Sequence, residues 1–158
     1  MKTRYSAERL MDAPAEVIYR CLADYVHHHR PGGFMPPAFS NHELLSGGIG
    51  AGTVVRLSVT LGGRTQTMTA HITEPEPGRV LLEQSDNVET TFTVQPEGRQ
   101  SRVRFDTVLD TGGLQGLLNR LFAPRLLAPV YTDELERLER YAQSQAAAAD
   151  SRAAAAPR

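Results

Sequence analysis

Between Phe39 and Asp110 the chain alternates apolar and polar residues with a period of two, and this feature limits the possible folds most strongly. Alternation at this period places one set of side chains on each face of a sheet, so each segment predicts a strand with a buried face and a wet face. Short glycine- or proline-containing turns separate the segments. Because connections this short join antiparallel neighbours, the pattern predicts a meander of about six strands.

Helical patterns flank this meander on both sides. Residues Thr3–Met11 read as a first strand, and the following segment places Val17 and Cys21 on one apolar helical stripe. After the meander the helical period returns, with a stripe of apolar residues from Leu117 to Ala142. The sequence therefore predicts a short helix before the meander and a long helix after it.

Two features modify the long predicted helix. Pro124 and Pro129 each remove a backbone donor, so we expect them to kink or divide it. The charged residues in its second half are expected to face mostly solvent: Asp133, Glu134, Glu136, Arg137, Glu139 and Arg140.

The 158 residues predict a single α+β domain. A curved sheet with one apolar face has to bury that face against the long helix. We expect this domain to cover residues 1–142. Residues 143–158 are rich in alanine and contain no large apolar side chain, so they are expected to fray or to be disordered.

Several short motifs occur in an order that resembles the polyketide cyclase/dehydrase and lipid-transport (START-like, SRPBCC) superfamily. They are a helix start at 13–19 (APAEVIY), a glycine-rich segment at 46–53 (SGGIGAGT), a turn at 74–79 (EPEPGR) and the long terminal helix. The resemblance covers residues 3 to about 141. It implies a helix-grip fold of six to seven strands around the long helix, with an apolar ligand cavity between sheet and helix. It implies no particular activity, because such folds host carriers, sensors and enzymes.

Composition excludes several classes of protein. The formal net charge is −1 with no long run of either sign, so neither nucleic acid nor an anionic membrane surface is an expected partner. Cys21 is the only cysteine and Lys2 the only lysine, which excludes an internal disulfide and a buried Schiff-base lysine. No signal peptide or apolar span is recognisable, so we expect a cytoplasmic protein without integral membrane association. Homodimerisation stays open.

Two motifs suggest chemistry that their context does not favour. Residues 47–52 (GGIGAG) precede a predicted strand rather than a helix, so a glycine-rich turn is favoured over a phosphate-binding loop. The adjacent histidines His27, His28 and His29 cannot all face one point, so we expect no metal site, and we expect no cofactor.

The predicted inner faces of sheet and helix define a candidate ligand cavity. Apolar walls with a few neutral polar groups suit an apolar ligand bearing a carbonyl or hydroxyl group. The predicted lining residues are Leu57, Val59, Met68, Ala70, Ile72, Gln84, Thr90, Phe92, Phe105, Thr107, Phe122, Leu126 and Tyr131, and the predicted gate comprises His27, Phe34 and Met35.

Three functions follow as hypotheses. The first is binding of a small hydrophobic molecule of lipid, aromatic, polyketide or isoprenoid type. The second is a cofactor-independent cyclase or dehydratase that uses a tyrosine, histidine or glutamate in the same space. The orientation of Glu83 is open, because its segment shows no clean alternation, and an inward Glu83 favours the enzyme. The third is a protein-interaction module of the same fold.

Overall fold

A computed structural model describes residues 2 to 157, except for the side chains at positions 114, 115 and 117 to 120. Seven strands form one antiparallel sheet in the order β1-β7-β6-β5-β4-β3-β2, which confirms the predicted α+β architecture of a meander with a long C-terminal helix. The elements are β1 (Lys2–Met11), α1 (Ala15–Ala23), β2 (Phe39–Ser46), β3 (Val54–Leu61), β4 (Arg64–Glu76), β5 (Val80–Gln84), β6 (Val88–Glu97), β7 (Gln100–Asp110) and α2 (Gly113–Ala155).

The alternation in β6 and β7 determines which side chains enter the core. In these strands Thr90 pairs with Thr107 and Phe92 with Phe105, and all four side chains are buried. The residues between them, such as Arg104, lie on the opposite face, where they meet solvent. The register therefore brings two aromatic rings and two hydroxyl groups to the concave face of the sheet.

Helix α1 closes one end of the core. Its fully buried face includes Ile18 and Leu22, and Cys21 is buried beside them. Burial raises the pKa of the Cys21 thiol to about 12. Since the thiolate is the reactive form, Cys21 acts here as a small apolar core residue.

Helix α2 packs its apolar stripe against the concave face. Ala123, Leu127 and Tyr131 are buried along it. The prolines do not divide the helix: both Pro124 and Pro129 lie inside one helix. Burial of the stripe on either side of each proline compensates for the lost backbone bonds. The helix also continues through the alanine-rich segment to Ala155, where most side chains are exposed.

The second half of α2 is fixed to the start of the chain by one carboxylate. Oε1 of Glu139 accepts hydrogen bonds from Arg9 Nε at 3.0 Å and Nη2 at 2.9 Å. Oε2 accepts one from the backbone N–H of Asp12 at 2.7 Å. These bonds fix the orientation of α2 relative to β1. Among the described residues, no helix is both long and apolar enough to cross a bilayer.

Candidate ligand-binding and acid–base site

A cavity of about 110 Å³ lies between α2 and the concave face of the sheet. Its walls are mainly apolar, and the described residues that line it include no lysine or arginine. Its polar groups are two carboxyls, an imidazole, three hydroxyls and an amide. The lining residues are His29, Met35, Phe39, Leu57, Val59, Leu61, Gln66, Met68, Glu83, Val88, Thr90, Phe92, Thr107, Leu109, Leu127, Val130, Tyr131 and Glu134.

The imidazole of His29 is buried, with only 1% of the residue exposed. Its Nδ1 lies 2.8 Å from the carbonyl oxygen of Leu22, which can only accept, so Nδ1 carries the proton and Nε2 has the free lone pair. Aromatic rings enclose the imidazole: Tyr25 stacks on it at 4.5 Å between centroids, and Phe34 lies at 4.8 Å. This burial lowers the pKa of His29 to about 4, so the ring is neutral at pH 7.

Glu83 reaches the cavity from β5. Its Oε1 accepts a hydrogen bond of 2.5 Å from the Tyr25 hydroxyl and lies 3.7 Å from Nε2 of His29. The Glu83 side chain is 20% exposed. Desolvation raises the pKa of Glu83 to about 7, although the Tyr25 hydrogen bond acts in the opposite direction by stabilising the carboxylate. Glu83 is therefore divided between its charged and neutral forms near pH 7.

Glu134 faces Glu83 and His29 from α2. It is 2% exposed, and its Oε1 lies 3.9 Å from Nε2 of His29. No hydrogen bond joins its carboxyl to another residue in the described part of the chain. Desolvation, followed by the nearby Glu83 carboxyl, raises the pKa of Glu134 to about 8. A neutral carboxylic acid with a free O–H is thus held at the cavity wall at pH 7.

Together these three groups form an acid–base cluster, defined as His29, Glu83 and Glu134. At pH 7 it offers a proton donor in Glu134, an acceptor in the charged form of Glu83, and an imidazole lone pair between them. Groups with pKa values near the working pH are suited to general acid–base catalysis. A buried carboxyl with a purely structural role is normally paired with a cation or with several hydrogen-bond donors.

A hydroxyl cluster of Thr90, Thr107 and Tyr131 lies beside the acid–base cluster. Thr90 pairs with Glu83 across the strands, and its Oγ1 lies 2.9 Å from Oγ1 of Thr107. Thr107 in turn bonds to the hydroxyl of Tyr131. The three hydroxyls hydrogen-bond to one another and form a neutral polar patch on the otherwise apolar wall. Burial raises the pKa of Tyr131, which keeps it a neutral donor.

Eight of the predicted residues line the cavity. Seven come from the predicted walls, and Met35 comes from the predicted gate. The seven wall residues are Leu57, Val59, Met68, Thr90, Phe92, Thr107 and Tyr131.

Glu83 also lines the cavity, although the sequence left its orientation open and it was not among the predicted wall residues. Glu83 pairs with Thr90 across β5 and β6, and this register places it on the concave face. Gln84 is therefore on the opposite face, where it is exposed and bonds to Glu89 at 3.4 Å. The segment's weak alternation explains why the sequence favoured Gln84 as the lining residue.

The other predicted site residues lie elsewhere. Ala70, Ile72 and Phe105 are buried in the core but do not line the cavity. Phe122 and Leu126 are 50% and 39% exposed, because they lie on the outer side of the helical stripe. In the predicted gate, Phe34 packs behind His29, and His27 is exposed and pairs with Asp24 at 3.0 Å.

Sequence reasoning missed Glu134, and its expected exposure to solvent was wrong. Its position offered a signal: Glu134 follows Tyr131 by three residues and precedes Leu138 by four, so it lies in the middle of the buried stripe. Glu134 was nevertheless predicted to face solvent, because charged residues are generally exposed. His29 was hidden for a different reason, since sequence alone does not separate three adjacent histidines.

The three histidines take three different partners. His27 bonds to Asp24, Nδ1 of His28 lies 2.6 Å from the Tyr141 hydroxyl, and His29 bonds to Leu22. Only His29 of the three lines the cavity. Of these three adjacent imidazoles, one therefore lies at the site and two lie outside it.

Residues 2–143 match the model of the family described as polyketide cyclase / dehydrase and lipid transport. Because the match spans nearly the whole chain, the protein belongs to this family, and the resemblance inferred from its motifs is confirmed. Membership supports ligand binding or a cyclase role in general terms. No functionally curated protein matches the chain.

Solved structures resemble this chain over most of its length. The KanY protein, solved by NMR, has a TM-score of 0.77 and 24% identity, covering 90% of this chain and 99% of that one. The Zhui aromatase/cyclase from Streptomyces sp. R1128 has a TM-score of 0.68 and 18% identity, covering 92% and 96%. The di-domain aromatase/cyclase StfQ of the steffimycin pathway has a TM-score of 0.74 and 12% identity, covering 93% and 53%. At these identities the likeness establishes the helix-grip fold alone.

Proposed function

We propose that this protein binds a small apolar molecule that carries a carbonyl group, and that it catalyses a cofactor-independent cyclisation or dehydration of that molecule. The observation that carries the proposal is the acid–base cluster, in which two carboxyls and a neutral imidazole face one another in an otherwise apolar cavity. The names of the Zhui and StfQ relatives, both aromatase/cyclases, agree with this class of reaction.

The cavity's size and lining determine what it accepts. Its 110 Å³ is less than the roughly 150 Å³ of an apolar cavity that holds benzene, so even a ligand of a single six-membered ring requires the walls to move outward. The free O–H of Glu134 suits an acceptor oxygen on the ligand, and the hydroxyl cluster adds further polar groups to the cavity lining. A compact ligand with an oxygen function at the polar wall is therefore preferred.

The acid–base cluster supports a balanced dehydration of a β-hydroxy carbonyl compound. The Glu83 carboxylate takes the proton from the carbon next to the carbonyl, and the carbon–carbon double bond forms. Glu134 donates its proton to the departing hydroxyl, the carbon–oxygen bond breaks, and water leaves. In a cyclisation, the same base forms the carbon nucleophile and the same acid protonates the carbonyl oxygen that is attacked.

His29 supports the return of the proton after either reaction. The reaction leaves Glu83 protonated and Glu134 charged, so one proton has to pass between them. Nε2 of His29 lies 3.7 Å from Glu83 and 3.9 Å from Glu134, and its lone pair is free to accept. Because the ring's pKa is about 4, it holds a proton only transiently. His29 is accordingly proposed as a relay.

A small β-hydroxy ketone tests the proposal directly. We expect the purified protein to dehydrate 3-hydroxycyclohexanone to the conjugated enone, followed by ultraviolet absorbance. Glu134→Gln keeps the shape of the side chain but removes its acid function, and it is expected to lower turnover by about 100-fold or more. Dehydration at the buffer rate by the wild type, or equal turnover by the variant, would argue against the enzyme.

The carrier hypothesis is the second candidate, and the apolar lining favours it. Native mass spectrometry of freshly purified protein with organic extraction tests it. A bound apolar compound without turnover of the ketone would indicate a carrier. We propose a cytoplasmic setting for either function, since the buried Cys21 is a free thiol.

A further inference from the structure

We propose that the end of the molecule formed by the β3–β4 hairpin and the first half of α2 docks reversibly onto an anionic lipid surface. The proposal is independent of the catalytic one, because it concerns side chains outside the acid–base cluster. It rests on an exposed apolar patch, on a local excess of arginine, and on the position of both beside the cavity.

The apolar patch comprises Leu121, Phe122 and Leu126, which are 52%, 50% and 39% exposed. Leu126 is four residues from Phe122, so the two share one side of α2. A β-carbon added at Gly62 would lie 3.3 Å from Cδ2 of Leu126, so the tip of the β3–β4 hairpin adjoins the patch. Single exposed apolar residues are ordinary, but three large ones together typically mark an interaction surface.

The charge around this patch is one-sided. The hairpin segment 54–73 and the helical segment 113–132 contain four arginines and no Asp or Glu, although the whole chain carries a net charge of −1. Arg56 pairs with Glu43, whereas Arg64 and Arg125 are exposed and form no ion pair with a described carboxylate. The balanced total therefore conceals a local excess of arginine at this end, and the proposal departs from the expectation that an anionic membrane surface is not a partner.

The same two segments also line the cavity. Leu57, Leu61 and Met68 come from the hairpin, and Leu127 and Val130 come from α2. An apolar ligand of the cavity partitions into lipid. A surface at this end that binds lipid would therefore bring the cavity close to the ligand. Exposed leucine and phenylalanine insert at the headgroup boundary, while arginines attract anionic headgroups.

Flotation with vesicles tests the proposal. Vesicles of phosphatidylcholine alone are compared with vesicles of equal parts phosphatidylcholine and phosphatidylglycerol, at low and high salt. We expect the full chain to bind the anionic vesicles more tightly and to lose most of that preference at high salt. Replacing both Arg64 and Arg125 by glutamine is expected to weaken anionic binding by about 30-fold.

Paired serine variants separate this patch from exposed leucines in general. The double variant Leu121→Ser with Phe122→Ser is expected to weaken binding to both vesicle types. The matched control, Leu44→Ser with Leu45→Ser, changes two exposed leucines of β2 and is expected to leave binding unchanged. Failure of the wild type to bind anionic vesicles would overturn the proposal, as would equal losses in the two serine variants. An acidic protein partner would then be the remaining occupant for the basic end.

Discussion

Two tyrosine–glutamate pairs in this molecule look alike and differ in what they leave unbonded. Outside the cavity, Oε1 of Glu74 accepts from the Tyr19 hydroxyl at 2.8 Å, and Oε2 accepts from the backbone N–H of Ala51 at 2.9 Å. In the cavity, Oε1 of Glu83 accepts from Tyr25, and no bond to its second oxygen is formed by the described residues. Both oxygens of Glu74 are used to join elements, whereas Glu83 keeps one for a ligand.

This difference separates a structural carboxylate from one suited to chemistry. Glu74 ties α1, the glycine-rich turn and β4 together, and each of its oxygens has a donor. Glu83 lies instead in the cavity, where desolvation raises its pKa to about 7. Burial with incomplete hydrogen bonding, and not the pairing with tyrosine, distinguishes the reactive group.

The largest expected effect is on turnover of 3-hydroxycyclohexanone by two matched variants. Glu83→Gln removes the proposed base and is expected to lower turnover by about 100-fold or more. Glu74→Gln retains an oxygen that can accept a bond outside the cavity, so turnover is expected to stay near the wild-type value. Steady-state kinetics on both variants measures the contrast, and similar losses in the two would remove the distinction between the pairs.

The second effect concerns stability. Glu74→Ala removes the acceptor of the Ala51 N–H and leaves the Tyr19 hydroxyl only its longer bond of 3.3 Å to the carbonyl oxygen of Val80, and it is expected to lower the free energy of unfolding by about 2 kcal/mol. For a chain of this size that corresponds to a decrease in Tm of about 4–8 °C. Thermal unfolding measures the decrease in Tm. The control is Glu76→Ala, which removes an exposed neighbouring carboxylate. An equal decrease in Tm in the two variants would contradict the stabilising role of the Glu74 hydrogen bonds.

The third effect is a pH dependence of stability. Because the pKa of Glu134 is raised from 4.5 to about 8 in the folded protein, the folded state binds this proton more tightly than the unfolded state. Its contribution to stability is full below pH 4.5 and is lost as pH rises to about 8, at up to about 1.4 kcal/mol per pH unit. Glu134→Gln has no such loss, so its stability relative to the wild type is expected to increase from pH 5 to pH 8. Denaturant unfolding across this range measures it, and a constant difference would contradict the raised pKa.

The smallest effect is expected at Gln84. This side chain lies on the outer face, so Gln84→Ala should change the free energy of unfolding by less than about 0.5 kcal/mol and leave turnover unchanged. A clear loss of turnover would show that Gln84, and not Glu83, faces the ligand. The measurement sharpens the assignment of the inward residue on β5.

The fold was predictable from the sequence because strand alternation is regular in β6 and β7 and the stripe of α2 is long. The site was predictable where a lining residue belongs to such a pattern, as Leu57, Phe92 and Tyr131 do. Glu83 and Glu134 were harder, because a buried carboxyl contradicts the preference of its residue type. The desolvation of these two carboxyls depends on how β5 and α2 pack against each other. The sequence of one segment alone does not contain that information.

Carbon-13 NMR titration of the glutamate side-chain carboxyls measures whether Glu83 and Glu134 have raised pKa values. With Glu83→Gln and Glu134→Gln to assign the signals, we expect two carboxyls that titrate near pH 7 and pH 8. If both titrate near their ordinary value of 4.5, they are charged at neutral pH, and the cavity holds no acid–base pair of the kind described.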